Sequence, residues 1–376
     1  MALFQKGIIL EQHKEPAFSR NICEFLNSSN PVNFFDDYET SIEEISNDDI
    51  IEFAKLANIY DETDGILLYK KLVSAKSKSV VTVVADAIDD EPYISSQICP
   101  TIQLSEQLAG GLKFAKQAIS AKRIYVATYQ NVGEINTKIP SKIDGDVEIR
   151  QINGRYPAEQ RAKKKLRYRN ALIIGAGALI HLFRAVKYRR IQTTTFITVA
   201  GDCIANPTNL EVSLGMTVTQ VLERCGLIDL PNRVVIGGSM TGIGVIDTDK
   251  NLITPMTRSV LAFKDKFIKY NYNCIGCGRC TQYCPMGLSP YYIYKLIKSN
   301  QLDKLDRFDA TSCIGCGICS YNCPAKLELS TVIFNYVKSD AGKQAKKGKE
   351  LLQEKHQAQT QAQPQKISNK KNKSHK

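Results

Sequence analysis

The chain has 376 residues, 43% of them apolar, and a formal net charge of +12. Length and apolar content exclude a disordered chain and leave room for two or three cores. The charge is no nucleic-acid signature, because residues 341–376 hold ten Lys against two Glu and leave only +4 on the remainder. The longest apolar run, Ala171 to Phe183, is interrupted by His181 and is too short to cross a bilayer. Met1 to Leu10 lacks the basic, apolar and small-residue order of a signal peptide. A cytoplasmic chain without a transmembrane segment is expected, with Cys23, Cys99, Cys203 and Cys225 as buried, unpaired apolar residues.

Residues 1–63 read as a lead-in. It is irregular up to residue 35, and Asp36 to Asp64 then carries eleven acidic residues and one Lys. Within that stretch Ile50, Phe53, Ala54 and Ala57 recur at helical spacing behind Ser46 and Asn47, so one amphipathic helix with a negative outer face is expected. Residues 64–190 alternate strands with helices. Ser79 to Ala85 is a β-branched run suited to a strand buried on both faces, Gln103 to Ala118 reads as a helix, Arg123 to Thr128 as the next strand and Val147 to Ile152 as a third. The pattern implies a small parallel α/β sheet, with the acidic turn Asp89-Asp90-Glu91-Pro92-Tyr93 at a strand's carboxyl end, where such sheets place ligands. Arg161 to Arg169 has six basic residues in nine and reads as a solvated helix face in preference to a phosphate or carrier-protein contact. Ala171 to Ile180 reads as strand, turn and helix. Its Gly175 and Gly177 lack the third glycine and the later acidic residue of a dinucleotide fingerprint, which makes them a tight turn.

Residues 191–258 give a hairpin (Thr193 to Ala200, Asn209 to Leu214), a helix (Val218 to Cys225) and a returning strand (Arg233 to Ile236), a small β-grasp-like module. Residues 259–340 hold the strongest signal. Cys274, Cys277, Cys280 and Cys284-Pro285 are repeated as Cys313, Cys316, Cys319 and Cys323-Pro324. Each run is C-x2-C-x2-C-x3-C-P, the spacing of a bacterial two-cluster ferredoxin, in which the fourth cysteine serves the other cluster. One [4Fe–4S] cluster is therefore assigned to Cys274, Cys277, Cys280 and Cys323, and the second to Cys284, Cys313, Cys316 and Cys319. Zinc favours two separated pairs of ligands, and a disulfide framework needs an exported chain; neither fits two identical quartets. Helices are expected from Ser289-Pro290 onward and over Leu329 to Val337, and residues 341–376 form a disordered basic tail.

The Glu-Pro-Tyr turn, Tyr156-Pro157, Thr198 to Pro207, Gly237 to Gly242 and the two cysteine runs together resemble the RnfC family of electron-transport proteins over roughly residues 64 to 338. The resemblance implies a flavin-binding α/β domain, a soluble-ligand-binding β-grasp (SLBB-like) domain and a helical two-cluster ferredoxin domain. Its members pass electrons from NADH through FMN and clusters to a membrane complex, a cobalamin or an amino-acid reductase. The family's glycine-rich flavin loop is replaced here by Asp64 to Leu72, whose side chains from Ile66 to Tyr69 would obstruct a phosphate cradle. Glu91 and Tyr93 remain as a vestige of the flavin site. The expected function is single-electron relay through two clusters to a partner reductase or membrane complex, in the cytoplasm or at the inner face of the membrane. A flavin-dependent NADH oxidoreductase holding FMN in a rearranged loop is the alternative. A nucleic-acid binder is disfavoured because only Tyr168 and Tyr188 interleave aromatic rings with the basic residues.

Overall fold

The computed structural model describes residues 23–25, 45–129, 139–265 and 273–348. It divides into two units, Met1–Lys269 and Tyr270–Lys376. Residues 36–44 of the acidic stretch lie outside the described residues.

The first unit opens with a short strand β1 (Cys23–Phe25) and helix α1 (Asn47–Leu56). The Ser46 hydroxyl accepts from the Asp49 N–H at 3.2 Å and the Asp49 carboxylate accepts from the Ser46 N–H at 3.0 Å, a reciprocal cap that fixes the helix start. Ile50 and Ala54 are its fully buried face. Next come α2 (Leu68–Ser77), β2 (Thr82–Ala87), α3 (Ile98–Gln103), α4 (Ser105–Ala118) and β3 (Arg123–Tyr129). The helix expected over Gln103 to Ala118 is α4, which starts at Ser105 because Leu104, with a ψ of 37°, separates it from the short α3. The hairpin strands β4 (Lys142–Ile143) and β5 (Val147–Ile152), helix α5 (Ala158–Tyr168), strand β6 (Ala171–Gly175) and helix α6 (Ala176–Tyr188) complete the module. Sheet order is β4-β5-β3-β2-β6, with β2, β3, β5 and β6 parallel. Every residue of β2 is buried, as its apolar run requires of a central parallel strand.

The second sheet has the order β1-β8-β7-β11-β9-β10. Strands β7 (Thr194–Ala200) and β8 (Thr208–Ser213) form the hairpin, and helix α7 (Val218–Cys225) follows with the Thr217 hydroxyl accepting from the Gln220 N–H. Strands β9 (Arg233–Ile236) and β10 (Ile243–Val245) then lead to β11 (Ser259–Phe263), which lies parallel to β7 and antiparallel to β9. This is the β-grasp arrangement, a hairpin and a helix closed by a central parallel pair. Cys203 and Cys225 are buried in its core and not disulfide-bonded, as expected, whereas Cys99 is disulfide-bonded.

The second unit is helical: α8 (Arg279–Gln282), α9 (Pro290–Lys298), two 3-10 segments (Leu302–Phe308 and Ala310–Ser312), α10 (Ile318–Tyr321) and α11 (Leu329–Lys338). Pro290 stands at the first position of α9, but Ser289 makes no side-chain cap, so proline's fixed φ marks that start. Residues 340–348 continue as helix, and 349–376 of the expected disordered tail lie outside the described residues. Among the described residues no helix is long and apolar enough to cross a membrane.

Candidate metal centre

The two cysteine runs take up the same backbone twice. Gly276 and Gly278 in the first, and Gly315 and Gly317 in the second, all have φ between 69° and 79°. This left-handed conformation suits glycine and lets the chain curl between consecutive cysteines. Gly278 and Gly317 each open a four-residue helix, α8 and α10, which carries the third cysteine of the run. A side chain at Gly315 would also meet the Phe334 ring at 2.7 Å.

The fold then brings the runs together crosswise. Cys274, Cys277, Cys280 and Cys323 line one hollow, and Cys284, Cys313, Cys316 and Cys319 line the other. None of the eight is disulfide-bonded. Backbone donors reach the sulfurs: the Gly276 N–H donates to Cys274 Sγ at 3.4 Å, Leu288 N–H to Cys284 Sγ at 3.4 Å and Gly315 N–H to Cys313 Sγ at 3.5 Å. The remaining walls are apolar. Tyr291, Leu327 and Leu329 close the first hollow, and Met286, Leu288 and Ile333 the second. Nothing in the cysteine spacing selects these residues; adjacency to the Cys-Pro turns is their only sequence signal.

The halves differ in exposure. Cys277 is exposed, while Cys316, Cys319 and Cys323 are buried. Burial pushes the Cys313 thiol up to about 11 and the Cys319 thiol to about 12. Such thiols stay protonated at neutral pH unless a metal displaces the proton. Among the described residues no three His, Cys, Asp or Glu converge on a single ion position. Each quartet rings a hollow, and a ring of four thiols with N–H donors behind the sulfurs fits a cubane cluster better than one tetrahedral zinc.

The vestigial flavin residues are engaged otherwise. The Glu91 carboxylate accepts from the Met240 N–H at 2.8 Å, the Thr241 N–H at 3.3 Å and the Thr241 hydroxyl. It sits so close to Gly238 that a Cβ there would meet Glu91 Oε2 at 1.7 Å, which accounts for glycine at that turn. Tyr93 packs edge-on to Phe263 at 5.5 Å, and burial pushes its phenol up to about 12. These contacts tie the α/β module to the β-grasp module.

Residues 273–327 match the model of the 4Fe-4S dicluster domain, and residues 196–244 match that of the SLBB domain. With the fold, they define a two-cluster iron–sulfur protein carrying an SLBB module. Among curated proteins the chain is similar to the C subunit of the ion-translocating oxidoreductase complex of Rhodobacter capsulatus, 26% identical over 243 residues, covering 60% of this chain and 47% of the relative. It is likewise similar to the C subunit of the Na(+)-translocating ferredoxin:NAD(+) oxidoreductase complex of Acetobacterium woodii, 28% identical over 257 residues, covering 64% and 58%. The RnfC resemblance read from the motifs therefore extends across the body of the chain, although the chain spans only about half the length of these relatives. By fold it resembles a chain of the NAD+-reducing [NiFe]-hydrogenase crystal structure in the H2-reduced state, with a TM-score of 0.52 at 12% identity over 79% of this chain and 62% of that one.

Proposed function

We propose that the chain is an iron–sulfur electron-transfer protein that relays single electrons through two [4Fe–4S] clusters. One is held by Cys274, Cys277, Cys280 and Cys323, the other by Cys284, Cys313, Cys316 and Cys319. The observation that supports this reading best is the crosswise gathering of the two runs into two separate cysteine-lined hollows. A bound cluster supplies a centre that takes up and gives back one electron without rearrangement. The protein's part is to fix the thiolates, donate N–H groups to them and line the hollows with apolar side chains, which together set the potential. The electron partner is another protein, either a reductase or a membrane electron-transport complex that the chain joins peripherally at its cytoplasmic face. This rests on the relatives being subunits of such complexes.

Paired substitutions test the assignment. The parent chain, purified without oxygen, holds about eight irons by the two-cube count. Cys274→Ala with Cys323→Ala removes two ligands of one proposed cluster and should leave about four irons. Cys274→Ala with Cys284→Ala strikes both clusters and should leave almost none. If the first pair emptied both sites and the second kept half the iron, the ligands would be partitioned by run and the crosswise assignment would be wrong.

A further inference from the structure

Parallel α/β sheets bind ligands where the strand order reverses, outside the carboxyl ends of the strands. Here β2 has β3 on one side and β6 on the other, so that crevice lies at the ends of β2 and β6. Helix α6 starts at the end of β6, and its first N–H groups are where a nucleotide-binding domain would seat a phosphate. In this chain they are all taken. The Gly175 N–H donates to Asp61 Oδ2 at 3.2 Å, Ala176 N–H to Gln97 Oε1 at 3.0 Å, Gly177 N–H to Glu62 Oε1 at 2.8 Å and Ala178 N–H to Glu62 Oε2 at 3.0 Å. The two oxygens of Glu62 rest on two successive donors, as two oxygens of a phosphate would.

The surroundings are fitted to this carboxylate. A Cβ at Gly175 would lie 2.3 Å from Glu62 Oε1 and one at Gly177 3.0 Å from it, so the glycine pair admits Glu62. Asp61 is buried and held by Lys71 Nζ at 2.5 Å and the Thr63 hydroxyl at 2.7 Å. Both acids come from the segment just before Asp64 to Leu72, where the resemblance places a glycine-rich flavin loop, and Leu68 and Leu72 of that stretch are fully buried. Across the crevice the Asp89 carboxylate accepts from the N–H groups of Gln97 and Ile98 at 2.9 Å each and pairs with Arg258 at 2.9 Å.

We infer that Glu62, backed by Asp61 and Gln97, is an internal replacement for a phosphate that closes this crevice to flavin and nicotinamide nucleotides, so that the chain exchanges electrons with one-electron carriers only. The second half of this inference rests on the cluster reading above. A dihydronicotinamide gives up two electrons with one proton as a hydride, whereas each cluster accepts one electron. A flavin would split the pair, and the chain offers it no seat. The hydride-to-single-electron conversion must therefore take place in another protein, and a reduced one-electron carrier delivers its product here.

Three measurements on the full chain, prepared without oxygen, decide the matter. FMN titrated into the parent protein should show no saturable fluorescence quenching, and NADH with added FMN should leave the cluster absorbance unchanged. Iron content and bleaching by dithionite check the clusters separately, so a chain without clusters would not be mistaken for one without a flavin site. In Glu62→Ala the freed N–H groups should bind inorganic phosphate, raising the melting temperature by roughly 3 °C or more at saturation, while the parent does not respond. Saturable FMN binding by the parent, or prompt cluster reduction by NADH, would overturn the inference. A folded Glu62→Ala protein indifferent to phosphate would overturn the role given to Glu62. If that variant does not fold, the parent titration decides alone.

Discussion

His181 illustrates how a single buried group records its surroundings. It stacks near Phe196 at 5.7 Å and is buried, and burial with the nearby Arg184 guanidinium brings its imidazole down to about 4. The folded state therefore resists a proton that the unfolded chain takes up at about 6.5. The stability this contributes is present above pH 6.5 and is lost as pH falls through 4, by about 3 kcal/mol in all. Urea titrations of the parent and of His181→Leu should diverge across that window, the parent losing more; a difference independent of pH would contradict the neutral, buried histidine. The eight cysteines are legible in the sequence because cluster ligation is a matter of local spacing. Glu62 is not, because its partners at Gly177 and Ala178 are far along the chain and nothing near residue 62 announces them.

At the level of elements the same contrast holds. Strands β2, β3 and β6 are readable from their apolar, β-branched runs, since these depend on neighbouring residues. Helix α5 is not simply the solvated face that its basic run suggests. Its Lys163 is largely covered, its side chain 13% exposed, pairing with Asp86 at 2.8 Å and Glu159 at 2.7 Å, and Arg258 bridges Glu159 and Asp89 at 2.9 Å each. Burial opposes the charge on Glu159, yet Arg258 and Lys163 hold it down at about 2. This network joins the end of β2, helix α5 and the residue before β11, so no single window of sequence contains it. Arg258→Met would leave Asp89 and Glu159 short of a buried partner and should cost about 3–5 kcal/mol in urea denaturation. A loss below about 1 kcal/mol would show that water or another side chain replaces the guanidinium.

At the scale of the whole chain, both cysteine-lined hollows belong to the second unit, and the α/β and β-grasp modules to the first. The β-grasp module and the α/β module are fastened by Glu91 on the Gly238 to Gly242 turn and by Arg258 on Asp89. The two cysteine hollows are unequal, one with Cys277 exposed and the other sheltered, which implies unequal potentials for the groups they hold. The central claim is tested most directly by Mössbauer spectroscopy of protein grown on isotopically enriched iron and purified without oxygen, with metal and acid-labile sulfide measured on the same sample. Two inequivalent [4Fe–4S] centres and about eight irons per chain are predicted; zinc in place of iron, or iron only in mononuclear sites, would contradict the account.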